Sequence, residues 1–384
     1  MWITSSLQAA KGPTNIALGN FDGVHLGHQQ VMAKVLCELP TATSVTNALS
    51  SQAVAALHNG DRTAGHSQFA GGQVANCQVA DGQVADGQVA DSQVVDSQNT
   101  VNTAEQPLLE TPIDVELPPS GVYSTVVTFS PHPHEYFSGV SRPLLTPVAE
   151  KTWQLAQLGI DQLIMLPFNQ ALSELSPADF VKKVLIKGLK AQKISVGSDF
   201  HFGKGRSGNA QQLTDIAAEQ GVPVVQVPLK YEQGDRISSS RIREALRLGQ
   251  PEIAARLLGR PYTLTGRVIA GQQLGRTIGF PTANLQVPNN KYLPRTGVYS
   301  VRVYGPATHA LQGVMNIGNR PTLQGQTLSI EVHILDWAGD LYQKMLTVSL
   351  DNFIRPEQKF DSLDQLKAQI AKDCQQARLY LKGL

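Results

Sequence analysis

The sequence is short of cysteine, of long apolar stretches and of net charge. Three cysteines, Cys37, Cys77 and Cys374, with no Cys-x-x-Cys spacing, argue against a disulfide framework or a zinc ribbon and fit a reducing compartment. No run of about 18 apolar residues and no signal-like start occur, so we expect a cytoplasmic protein without a membrane span. Lys plus Arg number 32 against 31 for Asp plus Glu, which gives no overall field for holding nucleic acid or an anionic membrane.

Aromatic and cationic residues are almost absent from residues 41–119. Phe69 is the one aromatic residue and Arg62 the one cation there, against six Asp and three Glu. Glutamine recurs every five residues from Gln73 to Gln98, with Val-Ala-Asp-Gly or a close variant between. So little apolar volume does not offset the entropy of ordering, and we predict a disordered insert; an acidic tether for a partner is the alternative.

The rest of the chain carries 31 cationic against 22 acidic side chains, which suits a body that handles phosphorylated ligands. Outside the insert, the first 228 residues alternate short β-rich apolar runs with amphipathic stretches. This alternation predicts a doubly wound parallel sheet, with ligands at the carboxyl ends of its strands. The predicted strands are 15–18, 125–129, 162–166, 193–196 and 223–227, and the predicted helices are 27–39, 147–158, 177–187 and 209–220.

Residues 262–354 follow a different pattern, in which apolar and polar residues alternate between Gly, Pro and Asn. The runs 299–304 and 328–335 are typical of antiparallel strands, so this region predicts a separate all-β domain. Two helical patterns in 238–259 join the halves, and the spacing of apolar residues over 362–382 predicts a terminal helix. A length of 384 residues agrees with two to three domains.

Two histidines follow the first predicted strand, in Gly-Asn-Phe-Asp-Gly-Val-His-Leu-Gly-His. His25 and His28 lie at the N-terminus of a predicted helix, where both rings and the free N–H groups of the first turn can face a phosphate. A solvated turn explains the motif alone equally well. A metal site with His132, His134 and His201 is a further alternative, although no carboxylate stands at ligand spacing among them.

A second polar motif, Ile-Ser-Ser-Ser-Arg-Ile-Arg at 237–243, places three hydroxyls and two guanidiniums at the start of a predicted helix. Hydroxyls can cap the helix and donate to phosphate oxygens, and arginine can bind a polyphosphate in a bidentate manner. An ordinary serine cap before a solvated basic face is the alternative. Together with the histidine motif, this motif resembles the nucleotidyltransferase superfamily that includes class I aminoacyl-tRNA synthetases.

The β region holds a third candidate site. Thr282 and Asn284 stand two residues apart in an extended segment, so a hydroxyl and an amide oxygen on one face could ligate Mg²⁺. Glu331 lies between apolar residues of a strand pattern, and is either a solvent-facing residue or a base that projects into a barrel mouth.

Six motifs, taken in order, resemble those of the prokaryotic bifunctional riboflavin kinase and FMN adenylyltransferase family, or FAD synthetases. The resemblance covers nearly the whole chain except 41–119. The motifs are 19–29 (Gly-Asn-Phe-Asp-Gly-Val-His-Leu-Gly-His-Gln), 127–133 (Val-Thr-Phe-Ser-Pro-His-Pro), 196–203 (Val-Gly-Ser-Asp-Phe-His-Phe-Gly), 237–243, 279–284 (Gly-Phe-Pro-Thr-Ala-Asn) and 352–360 (Asn-Phe-Ile-Arg-Pro-Glu-Gln-Lys-Phe).

The resemblance implies an α/β plus all-β protein. Residues 1–257 would form a Rossmann-like, doubly wound FMN adenylyltransferase domain, and 258–384 a Greek-key β-barrel riboflavin kinase domain with a terminal helix. ATP would phosphorylate riboflavin to FMN, and a second ATP would adenylylate FMN to FAD with release of pyrophosphate. Riboflavin, FMN, FAD, ATP and Mg²⁺ would be the molecules bound, with no protein partner.

The resemblance also assigns roles to residues. His25 and His28 would stabilise the adenylyl phosphates, Arg243 would clamp the polyphosphate, and Glu331 would be the kinase base. Nucleotide contacts would come from Gly19, Asn20, Phe21, Asp22, Gly27, Asp199, Phe202, Gly203, Ser239, Ser240, Gly275, Arg276 and Gly279. Flavin contacts would come from Pro131, His132, Pro133 and Arg355, and Mg²⁺ ligands from Thr282 and Asn284.

Two other functions stay open at this point. One is a nucleotidyltransferase for another phosphorylated substrate beside an unrelated β domain, and the other is a non-enzymatic nucleotide sensor that uses 41–119 as its contact arm. The Pro-Thr-Ala-Asn motif and Glu331 favour the flavin enzyme over both. Ser198, His201 and Ser240 depart from the usual family pattern and leave the affinity for nucleotide open.

Overall fold

The computed structural model describes residues 1–36, 118, 120–271, 274–322 and 325–382, with the side chains of 274, 320–322, 325–327 and 382 left out. The insert predicted at 41–119 therefore lies outside the described residues, apart from Pro118.

A six-stranded parallel sheet forms the first half of the chain, in the order β1-β4-β3-β2-β5-β8. All five predicted strands are confirmed, and the structure adds a short edge strand, β1, that the sequence did not predict. The strands are β1 (Trp2–Thr4), β2 (Thr14–Leu18), β3 (Tyr123–Ser130), β4 (Gln162–Pro167), β5 (Ala191–Gly197) and β8 (Val224–Val227), with the two-residue strands β6 (His201–Phe202) and β7 (Gly208–Asn209) paired outside the sheet.

Helices cover both faces of this sheet, so the predicted doubly wound fold is confirmed. Alternate residues of β2 enter two separate cores, Ile16 and Leu18 on one face and Ala17 on the other. The helices are α1 (Leu26–Ala33), α2 (Pro133–Ser138), α3 (Val148–Gln157), α4 (Gln170–Ser173), α5 and α6 (Ala210–Ala218), where α5 begins as one α-helical turn, Pro177–Asp179, and continues as a π-helix, Phe180–Gly188.

The first helix is shorter than the sequence predicts. The pattern predicts a helix over 27–39, but α1 ends at Ala33. The N–H groups of Lys34 and Val35 bond the carbonyls three residues earlier, at 3.4 and 3.0 Å, which closes the helix in a tight turn. Helical periodicity continues past Ala33 in the sequence, so the pattern alone did not locate this end.

A closed antiparallel barrel of six strands forms the second half, in the order β11-β12-β15-β14-β13-β16. Because β13, β14 and β15 are consecutive neighbours and β16 returns beside β13, the topology is a Greek key. The strands are β11 (Tyr262–Ile269), β12 (Ala283–Gln286), β13 (Gly297–Tyr304), β14 (Leu311–Thr322), β15 (Gly325–Ile334) and β16 (Met345–Arg355), preceded by the small hairpin β9 (Tyr231–Glu232) and β10 (Asp235–Arg236).

Two helices join the halves, α7 (Ser239–Arg247) and α8 (Pro251–Leu258). Their buried residues, among them Ile242, Leu246 and Leu257, belong to the same apolar cluster as the barrel interior. Two further helices are α9 (Leu274–Thr277) and α10 (Leu363–Lys382), the terminal helix that the sequence predicts, which packs Ala377 and Leu381 against the outside of the barrel. The division at 257/258 stays a prediction.

Candidate active sites

A cavity of about 880 Å³ opens at the carboxyl ends of the parallel strands. This is where an open α/β sheet places its ligands, close to β2 and β5, between which the strand order reverses. The sequence-predicted residues that line it are Gly19, Asn20, Phe21, His25, Gly27, His28, His132, Pro133, Asp199, Phe202, Gly203, Ser239, Ser240 and Arg243.

The two histidines of the first motif stack on each other at the N-terminus of α1. Their ring centroids are 3.5 Å apart, and Phe21 meets His28 edge-on at 5.3 Å. His25 is the N-cap of the helix, and its Nδ1 accepts the His28 main-chain N–H at 3.2 Å. Since Nδ1 of His25 is an acceptor, the neutral ring carries its proton on Nε2, which can donate to an anion.

Both histidines are neutral at pH 7. Burial lowers the pKa of His25 to about 4 and lowers the pKa of His28 well below its ordinary value, with the neighbouring His25 adding to the effect on His28. The buried Nδ1 of His28 has no hydrogen-bond partner among the described residues. Two neutral rings therefore face the cavity as hydrogen-bonding groups, with part of their capacity unused.

Asp22 lies behind the cavity wall and pairs with Arg243. Arg243 Nη2 donates to Asp22 Oδ2 at 2.5 Å, and the two side chains are only 11% and 2% exposed. The same Nη2 donates to the carbonyl of Pro143 at 3.2 Å, whereas the buried Nε has no partner among the described residues. The sequence predicted Asp22 as a nucleotide contact, but the structure gives its carboxylate protein partners, so that role stays a prediction.

The loop between β2 and α1 is held in an unusual backbone conformation. Phe21 and Val24 have φ of 53° and 46°, values that residues other than glycine rarely adopt. Thr146 fixes the loop from outside, because its hydroxyl accepts the Gly23 N–H at 2.9 Å and its own N–H donates to Asp22 Oδ1 at 3.1 Å. These two hydrogen bonds hold the loop in place beside the cavity.

Lys151 supports the wall of the cavity from behind, and the sequence reasoning missed it. It lies on α3, and its buried amine donates to the Asn20 carbonyl at 3.1 Å, its single hydrogen bond among the described residues. Burial lowers the pKa of this amine. The sequence did contain an indication, because Lys151 lies on the apolar side of a predicted helix, where a charged side chain is rarely buried unless it has a partner.

Four cations in the cavity wall were also missed: Arg142, Arg206, Lys230 and Arg236. Arg236, on β10, forms an ion pair with Asp199 of the 196–203 motif. Nothing in the spacing of these residues marks them, because Arg142 and Arg206 lie in separate segments far from the short hairpin that Lys230 precedes and that carries Arg236. Their presence makes the cavity electropositive, as the binding of polyphosphates requires.

Aromatic side chains line the other end of the cavity. Phe137 and Phe129 each meet Phe168 edge-on, at 5.8 and 5.9 Å between ring centroids. Phe137 is 70% exposed at the rim. His132 is the N-cap of α2, and burial lowers its pKa. Pro131 precedes it and is not among the residues that line the cavity.

Phe202 and Gly203 shape the wall of the cavity near β6. The Phe202 ring is buried and stacks on Phe200 at 5.7 Å. Gly203 has a φ of 73°, and a Cβ there would come within 2.9 Å of Pro177, so the position accepts only glycine without a shift of the backbone.

The barrel holds the second candidate site on its outer face. Asn284 of β12 stands directly opposite Glu331 of β15, and Thr282 Oγ1 lies 3.5 Å from Glu331 Oε2. Ala283 and Leu285 point into the barrel instead, which confirms that Thr282 and Asn284 share a face. A hydroxyl, an amide and a carboxylate therefore converge, and such oxygen donors suit Mg²⁺.

The glycine-rich segment of α9 and the turn after it lie against this face. A Cβ on Gly275 would meet the Phe280 carbonyl at 2.3 Å and Thr282 Oγ1 at 3.3 Å, and Gly279 has a φ of 88°. The backbone therefore approaches the Phe280 carbonyl more closely than a side chain allows. Arg276 is exposed in the same segment.

Arg355 has a structural partner. Its guanidinium binds the Asp373 carboxylate on α10 through Nε and Nη2, at 2.9 and 2.8 Å, and Asp373 is almost fully buried. This pair ties α10 to the end of β16. The predicted contact of Arg355 with flavin stays a prediction.

The alternative of a histidine metal site gains no support. In the part of the chain that the structure describes, no group of three His, Cys, Asp or Glu side chains is placed to hold a metal ion. The same part of the chain contains no helix that is long and apolar enough to cross a membrane.

Comparisons with known proteins match the two halves of the chain. Residues 7–48 and 115–241 match the family model for FAD synthetase, and residues 258–381 match the model for riboflavin kinase. The gap between the two segments of the first match falls within the low-complexity insert.

Curated relatives match both halves together. The bifunctional riboflavin kinase/FMN adenylyltransferase of Pseudomonas fluorescens is 42% identical over 67% of this chain and 83% of its own length. The protein of the same description from Escherichia coli K12 is 42% identical over 65% and 79%, and that from Bacillus subtilis is 38% identical over 69% and 84%.

A solved structure shares the whole architecture. The crystal structure of a macrolide-efflux protein from Streptococcus pneumoniae aligns with 98% of this chain and 98% of its own, with a TM-score of 0.68 and 24% identity. At that identity the likeness bears on the fold alone.

Proposed function

Since the chain belongs to the bifunctional riboflavin kinase and FMN adenylyltransferase family, we propose that its two reactions take place at the two sites described above, one in each half. The chain phosphorylates riboflavin to FMN and adenylylates FMN to FAD. This membership sets aside a nucleotidyltransferase for another substrate and a non-enzymatic sensor. The cytoplasm is the compartment that we propose, in keeping with the buried free thiol of Cys374.

In the cavity of the parallel sheet, an oxygen of the FMN phosphate attacks the α-phosphorus of ATP and pyrophosphate leaves. The attacking phosphate is already an anion, so no base is needed. The protein's task is to hold the two phosphates in line and to stabilise charge on the transferred group. The Nε2–H of neutral His25, a ring nitrogen of His28 and the first N–H groups of α1 supply this stabilisation, while Arg243, Ser239 and Ser240 hold the leaving pyrophosphate.

The aromatic end of the cavity is the place for the flavin ring. Phe137 is mostly exposed, although a bulky aromatic ring at a cavity rim gains from being covered. Phe129 and Phe168 give it a rigid support, and His132 and Pro133 complete this end. A planar isoalloxazine packed against Phe137 leaves the FMN phosphate directed toward the histidines.

On the barrel, Glu331 is the base for riboflavin phosphorylation. Its carboxylate takes the proton of the 5′-hydroxyl as the oxygen attacks the γ-phosphorus of ATP, and ADP leaves. Gly275, Arg276 and Gly279 hold the phosphates, because the glycine backbone permits close approach. This role explains a half-buried carboxylate placed between Thr282 and Asn284.

The oxygen donors at this site fit Mg²⁺. The Thr282 hydroxyl and the Asn284 amide oxygen would hold it, with Glu331 beside them. Mg²⁺ bound there would neutralise charge on the triphosphate of ATP.

The observation that carries the two-site proposal is that the stacked histidine pair and the Thr282–Glu331 pair lie in different domains. We therefore expect His28→Ala to lose FAD formation while FMN formation persists. The purified chain is incubated with riboflavin, ATP and Mg²⁺, and the flavins are separated by chromatography over time, beside a reaction started from FMN.

The matched control is His309→Ala, an exposed histidine in the loop between β13 and β14. This variant should make FAD at the rate of the unaltered chain. Equal loss of both reactions in a folded His28→Ala protein would refute separate sites.

A further inference from the structure

A tyrosine of the barrel half reaches into the adenylylation site. Tyr292 lies between β12 and β13, and its hydroxyl donates a hydrogen bond to the main-chain carbonyl of Arg243 at 3.1 Å. Its ring also lies 5.7 Å from the guanidinium carbon of the same arginine, within the range of a cation–π contact. One barrel side chain therefore contacts both the backbone and the side chain of the proposed polyphosphate clamp.

The backbone of Tyr292 is fixed to the segment on the other side of Arg243. The Tyr292 N–H donates to the Leu144 carbonyl at 2.8 Å, and the Leu144 N–H donates to the Asn290 carbonyl at 2.6 Å. Pro143, the residue before Leu144, gives its carbonyl to Arg243 Nη2. The same barrel segment thus supports the guanidinium from two directions.

A buried ion pair anchors this segment. Lys291 Nζ lies 2.5 Å from Glu150 Oε2 of α3 and donates to the Leu145 carbonyl at 2.7 Å, and its side chain is fully withdrawn from solvent. Tyr262 closes the arrangement, because its hydroxyl donates to the Tyr292 carbonyl at 2.6 Å. Moving Tyr292 would require breaking these contacts, so its ring is a rigid support.

The contacts of Arg243 show what the support achieves. Nη2 directs its hydrogens to Asp22 and Pro143, while Nε and Nη1 have no hydrogen-bond partner among the described residues. Nε is withdrawn from solvent, so Nη1 is the donor left for a ligand, and the Tyr292 ring, 5.7 Å from the guanidinium carbon, restrains the orientation of the guanidinium plane. Arg243 lines the cavity, where a triphosphate is the anion expected.

We infer that Tyr292, a residue of the kinase half, is a positioning residue of the adenylylation site: it holds the Arg243 guanidinium in the orientation that binds the ATP triphosphate. The inference rests on the proposed role of Arg243 as the clamp. It means that the adenylylation site is completed by the barrel half of the same chain.

The test measures initial rates of FAD formation from FMN at varied ATP, with the full chain. Tyr292→Leu, which keeps an apolar side chain but loses the ring and the hydroxyl, should raise the KM for ATP about ten-fold with a smaller change in kcat. Tyr292→Phe keeps the ring and should raise that KM about two- to three-fold. Tyr304→Leu, a partly exposed tyrosine at the end of β13, is the control and should change neither.

Riboflavin phosphorylation by the same preparations reports on folding and should be unchanged. If Tyr292→Leu loses this activity too, the KM of Tyr292→Phe decides the question. An unchanged KM for ATP in either folded Tyr292 variant overturns the inference.

Combining Tyr292→Leu with Arg243→Lys tests the role of Tyr292 separately from the role of Arg243. Arg243→Lys should itself raise the KM for ATP, and Tyr292→Leu should then add little, because both changes remove one interaction. If Arg243→Lys leaves the KM unchanged, the clamp itself is wrong. If Arg243→Lys raises it but Tyr292→Leu does not, or if the two effects simply multiply, the clamp stands and the positioning role fails.

Discussion

Asn284 and Glu331 stand directly opposite each other in the register of β12 and β15, on the outer face of the barrel. The carboxylate reaches Thr282 from the same position. One cross-strand pair thus brings an amide oxygen, a hydroxyl and a base within reach of one another.

Glu331→Gln should therefore lower riboflavin phosphorylation about 100-fold or more, because the amide keeps the shape but does not take a proton. Conversion of FMN to FAD should persist. Flavin chromatography with riboflavin and with FMN as separate starting substrates measures both. Glu252→Gln, at an exposed glutamate of α8, is the matched control. FMN formation at the normal rate in Glu331→Gln would rule out the base role.

The Asp22–Arg243 pair leads to a prediction on stability. Asp22→Asn leaves a buried guanidinium without its countercharge, so the free energy of unfolding should fall by about 3 kcal/mol. Urea unfolding, followed by fluorescence, measures this. FAD formation should fall as well, since Arg243 loses its main anchor. A stability equal to that of the unaltered chain would mean that solvent already screens the pair.

Replacing Lys151 should lower activity without lowering stability, unlike replacing Asp22. Lys151→Met removes a buried amine with one hydrogen bond and keeps the length of the side chain, so the free energy of unfolding should stay equal or rise. FAD formation should nevertheless fall about ten-fold, because the Asn20 carbonyl keeps only the Thr128 hydroxyl as a donor and the loop before α1 is held less firmly. Unfolding and kinetics are measured on one preparation. Full activity in Lys151→Met would assign the lysine a packing role alone.

The histidine pair predicts a dependence of stability on pH. Because burial lowers the pKa of His25 to about 4 in the folded chain, the unfolded chain binds a proton first as the pH falls. The free energy of unfolding should therefore decrease from about pH 6.5 toward pH 4, with no contribution from His25 above that range. His25→Gln should reduce this slope, whereas His309→Gln should not. Parallel curves for His25→Gln and the unaltered chain would contradict the lowered pKa.

The sequence predicted those parts of the fold that repeat a local pattern. Continuous apolar runs such as 162–166 predicted buried parallel strands, and alternation over 299–304 predicted a barrel strand. The sequence did not predict the edge strand Trp2–Thr4, because three residues are too few to show a periodicity. This strand pairs with β4, 160 residues away in the sequence. The sequence did not locate the end of α1, because the helical spacing continues past Ala33 while the chain closes there in a tight turn.

The residues of the candidate sites also divide into those that the sequence identifies and those that it does not. His25, His28, Thr282 and Asn284 stand in short contiguous motifs, so the sequence places them together. Lys151, Tyr292 and the cavity's further arginines reach the sites only through packing between distant segments. No spacing in the sequence encodes such a contact, so these residues emerged only from the structure.

The apolar cluster shared by α7, α8 and the barrel determines how the chain can be cut into fragments. A fragment that starts at residue 258 keeps β11 but leaves behind Ile242, Leu246 and Leu257, which belong to the same buried cluster as the barrel interior. A fragment that starts at residue 238 keeps them and should be the more heat-resistant of the two, since each large apolar side chain exposed costs about 2 kcal/mol. The predicted division at 257/258 therefore cuts through one apolar cluster, to which some twenty residues upstream of it contribute.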